Sequence, residues 1–141
     1  MPRAHINIGS NIGDRFAQIE QAVAAIKERI DSRCLTSGYY HSHPQGFDSN
    51  NDFINLGVTL ETSLEPLQLL RELQSIEKEI DATSHRDADG LYIDRKIDID
   101  LITFGNWELQ SYQLILPHPR MAERDFVMIP MRELEERLKR G

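Results

Sequence analysis

Apolar and polar residues alternate along His5-Ile-Asn-Ile8, which predicts a half-buried strand ending at Gly9-Ser10-Asn11, where turn and helix-capping residues meet. Phe16, Ile19, Val23, Ile26 and Ile30 then recur at spacings of three and four, predicting an amphipathic helix from about 14 to 30. Residues of β type from Cys34 to Tyr40 predict a second strand, followed by a loop rich in Pro, Gly and Asn from His41 to Asn51. Phe53 to Leu60 reads as a third strand with Ile54, Leu56, Val58 and Leu60 on one side. Ser63 is the expected N-cap of a second helix, with Pro66 just inside it. The apolar stripe of that helix is Leu67, Leu70, Leu73, Ile76 or Glu77, and Ile80. The period is lost between Asp81 and Gly90, where a mobile loop is expected. A strand follows at about 97 to 104, then an irregular stretch around Leu116-Pro-His-Pro-Arg120, then an amphipathic helix after Pro130.

This order predicts an α+β fold: a ferredoxin-like βαββαβ sandwich, its antiparallel sheet carrying both helices on one face, with a C-terminal helix added. The uncovered face is then available for a ligand. At 141 residues a single domain over 1–141 is expected. A charged fraction of 28% beside 40% hydrophobic residues suits a folded protein, and no apolar run reaches the length of a membrane span. Met1 to Gly9 contains no signal-peptide apolar core, so a cytoplasmic location and no membrane partner are expected. The formal charge of −7 argues against nucleic acid as a partner. A small phosphorylated ligand remains compatible if metal and local arginines neutralise it. Cys34, the one cysteine, is expected to be a buried, inert thiol.

Asp98 and Asp100 carry the sharpest chemical signal. On a strand, residues i and i+2 project from one face, so both carboxylates point one way while Ile97, Ile99 and Leu101 point the other. Like charges placed so repel unless a cation or basic group lies between them. Hard oxygen donors of this kind suit Mg²⁺ held jointly with substrate phosphates, although a strand whose polar face simply meets water would show the same pattern.

Six short blocks together resemble the 6-hydroxymethyl-7,8-dihydropterin pyrophosphokinase family, and the likeness runs from Ile6 to about Glu133. They are Gly9-Ser-Asn11, Tyr40-His-Ser-His-Pro-Gln-Gly46, Asp52-Phe-Ile-Asn55, Gln74-Ser-Ile-Glu77, Arg95-Lys-Ile-Asp-Ile-Asp100, and Leu116-Pro-His-Pro-Arg120 leading to Arg124-Asp-Phe126. The resemblance implies transfer of pyrophosphate from ATP to a reduced hydroxymethylpterin, with release of AMP. It implies that Asp98 and Asp100 hold two Mg²⁺ ions with ATP, and that Arg95, His118 and Arg124 contact phosphates. Gln74, Glu77 and the backbone of Leu101 are implied as further nucleotide contacts. Phe53 and Phe126 are implied to stack on the pterin, Asn55 to meet its edge, and the backbone of Ser42, His43, Pro44 and Gln45 to complete that edge. The family's loop arginines have only Arg86 as a counterpart here, within Asp81-Ala-Thr-Ser-His-Arg-Asp87, and Tyr92 stands where a tryptophan is common. A catalytic role for Arg86 beside Arg95 follows as an expectation, and the protein is expected to act as a monomer. Two other readings stay open: a relative that binds pterin or nucleotide without efficient transfer, and an interaction domain of the same fold with no small ligand.

Overall fold

The computed structural model describes residues 1–44, 51–81 and 94–140. Its elements are β1 (Arg3–Ser10), α1 (Arg15–Arg29), β2 (Leu35–Thr36), β3 (Tyr40–Ser42), β4 (Phe53–Glu61), α2 (Pro66–Ile80), β5 (Asp98–Phe104), β6 (Leu109–Gln110), β7 (Ile115–Leu116), a 3₁₀ turn (Met121–Glu123) and α3 (Asp125–Arg140). The main sheet runs β2-β4-β1-β5, with β3 also paired to β4, and every pairing in it is antiparallel. The expected second strand is therefore two short strands, both laid against β4. The loop expected between Asp81 and Gly90 lies, beyond Asp81, outside the described residues.

β1 is buried from Ala4 to Ser10, so it is not the half-buried strand that its alternation predicts. It sits between β4 and β5 and is covered on both faces. On one face α1 and α2 bury Ile19, Ala22, Ile26, Leu69, Leu73 and Ile76 against Ile6, Ile8, Leu56, Val58, Ile99 and Leu101. Burying each Ile, Leu or Val among them contributes about 1.5–3 kcal/mol, which makes this layer the main source of stability. α1 begins at Asp14, whose side chain accepts the Ala17 amide at 3.1 Å, so the Ser10-Asn11 segment does not supply the cap. Phe16 is outside the core and packs edge-on against Tyr39, ring centroids 4.8 Å apart. The N-cap of α2 is Glu65 rather than Ser63, with a capping box closed by Gln68 and Pro66 in the first turn. The helix turns its Leu69 fully inward, while Leu67, Leu70 and Ile80 pack only partly against the core.

The second face is not left open along its length. α3 starts at Asp125, five residues before the expected boundary, and contains Pro130. Proline ordinarily marks a helix edge because it cannot donate to the carbonyl four residues back. Here its ring packs directly over Gly57, where an added Cβ would lie 2.9 Å from Pro130 Cβ. Glycine at 57 is thus what lets α3 approach the sheet. A bulge at Ile102 completes the arrangement: His5 pairs with Thr103 and Ile6 with Leu101, leaving Ile102 unpaired to pack with Val127 and Met131. Phe104, beyond the bulge, returns to the α1/α2 side. The part of this face that α3 leaves bare is a cavity.

Candidate active site

The cavity floor is the end of the sheet where β4, β1 and β5 carry small or polar residues on one face. Asp98 lies opposite Gly9 and Asp100 opposite Asn7, while Ile97, Ile99 and Leu101 are buried on the other side, as the i, i+2 spacing predicts. Burial pushes the Asp100 carboxyl well above the usual carboxylate range; the charges of Asp98 and Glu77 push the same way, and Arg95 and Arg124 oppose them. Arg95 Nη1 lies 3.0 Å from Asp98 Oδ2. Its guanidinium also stands over the Phe53 ring, 5.5 Å from the centroid.

This donor set fits a hard divalent cation. The two carboxylates share a concave floor, and burial together with the neighbouring Asp98 charge raises the proton affinity of Asp100, a tension that a cation relieves. Among the described residues no three His, Cys, Asp or Glu side chains are grouped to enclose a metal. A cation on Asp98 and Asp100 would therefore complete its shell with water and substrate oxygens, the habit of Mg²⁺.

A volume of about 510 Å³ opens above this floor. Arg95, His118 and Arg124 line it together with Ser42, His43, Phe53, Asn55 and Phe126, and Arg124 stands over the Phe126 ring, 5.6 Å from the centroid. His118 is fixed by its own backbone, whose amide donates to the Ile102 carbonyl at 2.8 Å, and by the Arg120 amide, which donates to its Nδ1 at 3.3 Å. Burial lowers the His118 pKa, with the Arg124 charge acting in the same direction, so the ring is neutral at neutral pH. With Nδ1 accepting, its proton is on Nε2.

Asn55 Nδ2 donates both hydrogens, to the Tyr40 carbonyl at 3.1 Å and to Ser42 Oγ at 2.8 Å. Its amide is therefore fixed with only the oxygen left for a ligand. Gly9 makes this possible, since a Cβ there would lie 3.1 Å from Asn55 Oδ1 and 3.4 Å from the Phe53 ring. His43 Nδ1 and His41 Nε2 lie 3.0 and 3.1 Å from different oxygens of Asp52, joining β3 to the start of β4. The hydrogen bond to His43 is the main cause holding the Asp52 carboxyl below its usual range.

Not every expected residue lines this cavity. Gln74 is exposed on α2, and Pro44, Glu77 and Leu101 are also outside the lining. Glu77 instead accepts the Ile99 amide at 2.8 Å through Oε2, holding α2 to β5. Gln45 and Arg86 lie outside the described residues. Conversely, Asn7, Gly9, Pro119 and Arg120 belong to the lining without having been singled out as ligand contacts from the sequence. The signal for Asn7 was present: it is a polar residue at the middle of an apolar strand, and it reads as solvent-facing only while that strand is taken as half-buried.

The Gly9-Ser10-Asn11 segment is a clasp. Asn11, only 2% exposed, donates from Nδ2 to the Asn51 carbonyl at 3.1 Å and to Asp94 Oδ1 at 2.8 Å, and its Oδ1 accepts the Arg95 amide at 2.8 Å. Asn51 Nδ2 reaches the other Asp94 oxygen at 2.8 Å. The entries to β4 and β5, and with them Phe53 and Arg95, are thus tied to the end of β1.

Fold and cavity together define an α+β protein with a carboxylate floor suited to a cation, arginines suited to an anion, and two phenylalanines and a polar amide lining the same cavity. The family model for 7,8-dihydro-6-hydroxymethylpterin-pyrophosphokinase matches residues 5–136, and the chain belongs to that family. It is 36% identical over 135 residues to the 2-amino-4-hydroxy-6-hydroxymethyldihydropteridine pyrophosphokinase of Porphyromonas gingivalis, covering 95% of this chain and 91% of that one. With the enzyme of the same name from Bacillus subtilis it shares 36% identity over 138 residues, 97% of this chain and 80% of the other. A crystal structure of HPPK-DHPS in complex with substrates superposes with a TM-score of 0.70 at 13% identity. That match covers 94% of this chain but only 40% of the HPPK-DHPS chain, and at this identity it bears on the fold alone.

Proposed function

We propose that the protein transfers the pyrophosphoryl group of ATP to the hydroxymethyl group of 6-hydroxymethyl-7,8-dihydropterin and releases AMP, as a step of folate biosynthesis. The observation that carries this reading is the convergence of Asp98, Asp100, Arg95, His118 and Arg124 in one cavity with Phe53, Asn55 and Phe126. The pterin hydroxyl oxygen attacks the β-phosphorus of ATP, the bond from that phosphorus to the oxygen of the departing AMP breaks, and the hydroxyl proton is released to solvent. Asp98 and Asp100 would hold Mg²⁺, which supplies charge stabilisation at the transferring group. Arg95, Arg124 and the Nε2–H of neutral His118 bind phosphate oxygens and orient them for in-line displacement. Phe53 and Phe126 take the faces of the pterin, and Asn55 Oδ1 accepts a hydrogen bond from its edge. The βαββαβ order with neighbours β2-β4-β1-β5 supports a ferredoxin-like plan in which the sheet face opposite α1 and α2 carries the chemistry.

The test is direct: purified protein, ATP, Mg²⁺ and the reduced hydroxymethylpterin, with AMP as the readout. Stoichiometric AMP and pterin pyrophosphate are expected. Binding of both ligands without AMP would make the protein a binding module instead.

A further inference from the structure

We propose that Asn7 is a ligand-binding residue of this cavity, hydrogen-bonding through its side-chain amide to the polar edge of the pterin; the inference rests on the pyrophosphokinase reading above. Asn7 is 3% exposed at the middle of β1, and its Oδ1 is buried without a hydrogen-bond partner among the described residues. Leaving a buried amide oxygen unmatched is costly, so buried polar groups in folded proteins are nearly always paired. An exception that lines a cavity is a position where a ligand can supply the missing partner.

The neighbours of Asn7 leave few alternatives. On one side it pairs with Gly57, which has no side chain to offer. The space over Gly57 is filled by the apolar Pro130 and Leu134 of α3 and by the ring of His5, the preceding residue on the same face of β1. His5 Nε2 is likewise buried without a hydrogen-bond partner among the described residues, so it does not satisfy Asn7. On the other side it pairs with Asp100, on the cation-binding part of the floor. Along β1 the next residue on the same face is Gly9, which pairs with Asn55. Two Gly·Asn pairs therefore follow one another across β1 and β4, and the two amides stand at opposite corners of the floor. Diagonal neighbours of this kind are about 7–8 Å apart, a separation that a flat bicyclic ring can bridge. Rotation about χ2 brings either the oxygen or the nitrogen of Asn7 to that ring, so it complements Asn55, whose nitrogen is already committed to Tyr40 and Ser42.

A residue kept for binding and a residue kept for stability respond in opposite ways to removal. Asn7→Ala deletes an unmatched buried amide, so the ligand-free variant should melt at or above the parent temperature. Its affinity for reduced hydroxymethylpterin, measured by titration without nucleotide, should fall about fivefold, the usual net effect of one lost hydrogen bond. Its affinity for Mg²⁺-ATP alone should equal the parent's. In the parent protein without divalent cation or nucleotide, the side-chain amide resonance of Asn7 should shift on adding pterin, which reads the contact even if the variant fails to fold; an unmoved resonance at saturating pterin would overturn the inference. Parent-like pterin affinity in Asn7→Ala would overturn the inference, as would a lowered melting temperature with pterin and nucleotide binding weakened in parallel. A parent that binds no pterin would overturn the functional reading along with it, whereas a binding parent with an equally binding variant overturns the role of Asn7 alone.

Discussion

Arg95 balances Asp98 and does not balance Asp100. Its Nη1 lies 3.0 Å from Asp98 Oδ2, with the two side chains only 11% and 22% exposed, while Asp100 keeps a strongly raised proton affinity despite Arg95 and Arg124. The floor thus presents one carboxylate already paired and one awaiting a partner. A cation brought in with nucleotide would satisfy the second.

Replacing Asp100 by Asn should cut turnover by orders of magnitude, because a metal that stabilises transition-state charge supplies several kcal/mol. The same change should raise the melting temperature of the metal-free protein at neutral pH. A carboxyl whose folded pKa exceeds its unfolded one stabilises the fold at low pH, and that contribution is lost as pH rises through the folded value. Melts of parent and Asp100→Asn without divalent cation should converge at acid pH and separate towards neutrality. Wild-type AMP release by Asp100→Ala would remove the carboxylate from the mechanism.

Phe53→Ala and Phe126→Ala should weaken pterin binding more than ATP binding, since aromatic stacking contributes about 0.5–1.5 kcal/mol beyond area burial. Each ring also carries an arginine, Arg95 over Phe53 at 5.5 Å and Arg124 over Phe126 at 5.6 Å, so both substitutions should in addition raise the KM for ATP, by less than they weaken pterin binding. Fluorescence titration with each ligand separately decides this, and equal pterin affinity in all three proteins would put the pterin elsewhere.

Asn11→Ala should destabilise the fold by about 2–3 kcal/mol, because it leaves the buried Arg95 amide and the Asn51 carbonyl without their partners. It should impair pterin and ATP binding together, since the clasp holds the entries to both β4 and β5. Urea unfolding gives the first quantity and paired titrations the second; a loss confined to one ligand would contradict the clasp.

His5 should limit stability in mild acid. Burial pushes its pKa down from 6.5 to about 4, so the unfolded chain takes up the proton first and stability falls as pH drops from 6.5 towards 4. The shift corresponds to roughly 3 kcal/mol between those limits, and above 6.5 the contribution is constant. His5→Leu should flatten the pH dependence of unfolding in this window, and an unchanged slope would acquit the histidine.

Much of this molecule was legible in the order of its residues. Period-two and period-3.6 patterns located β1, α1, β4, α2 and β5, because burial on the α1/α2 face imposes a local spacing that survives without knowledge of the partner. Asp98 and Asp100 were visible for the same reason: the period of a strand puts both carboxylates on one face wherever that strand lies. Motifs at Tyr40–Gly46, Asp52–Asn55 and Leu116–Phe126 pointed to the family, whose membership the comparison with known proteins then bore out.

Other features depended on contacts between segments far apart in the chain, which no local period records. Asn7 looked like the wet side of a strand until β4, β5 and α3 enclosed it. Asn11 looked like a turn residue until Asn51, Asp94 and Arg95 converged on it from positions 40, 83 and 84 residues away. Pro130 looked like a helix boundary, because the rule against proline is local, whereas its reason for being inside α3 is the bare backbone of Gly57 across the sheet. Strand period and side-chain chemistry are properties of the sequence; which buried polar atoms find partners, and which are left for a ligand, is decided only when the segments pack.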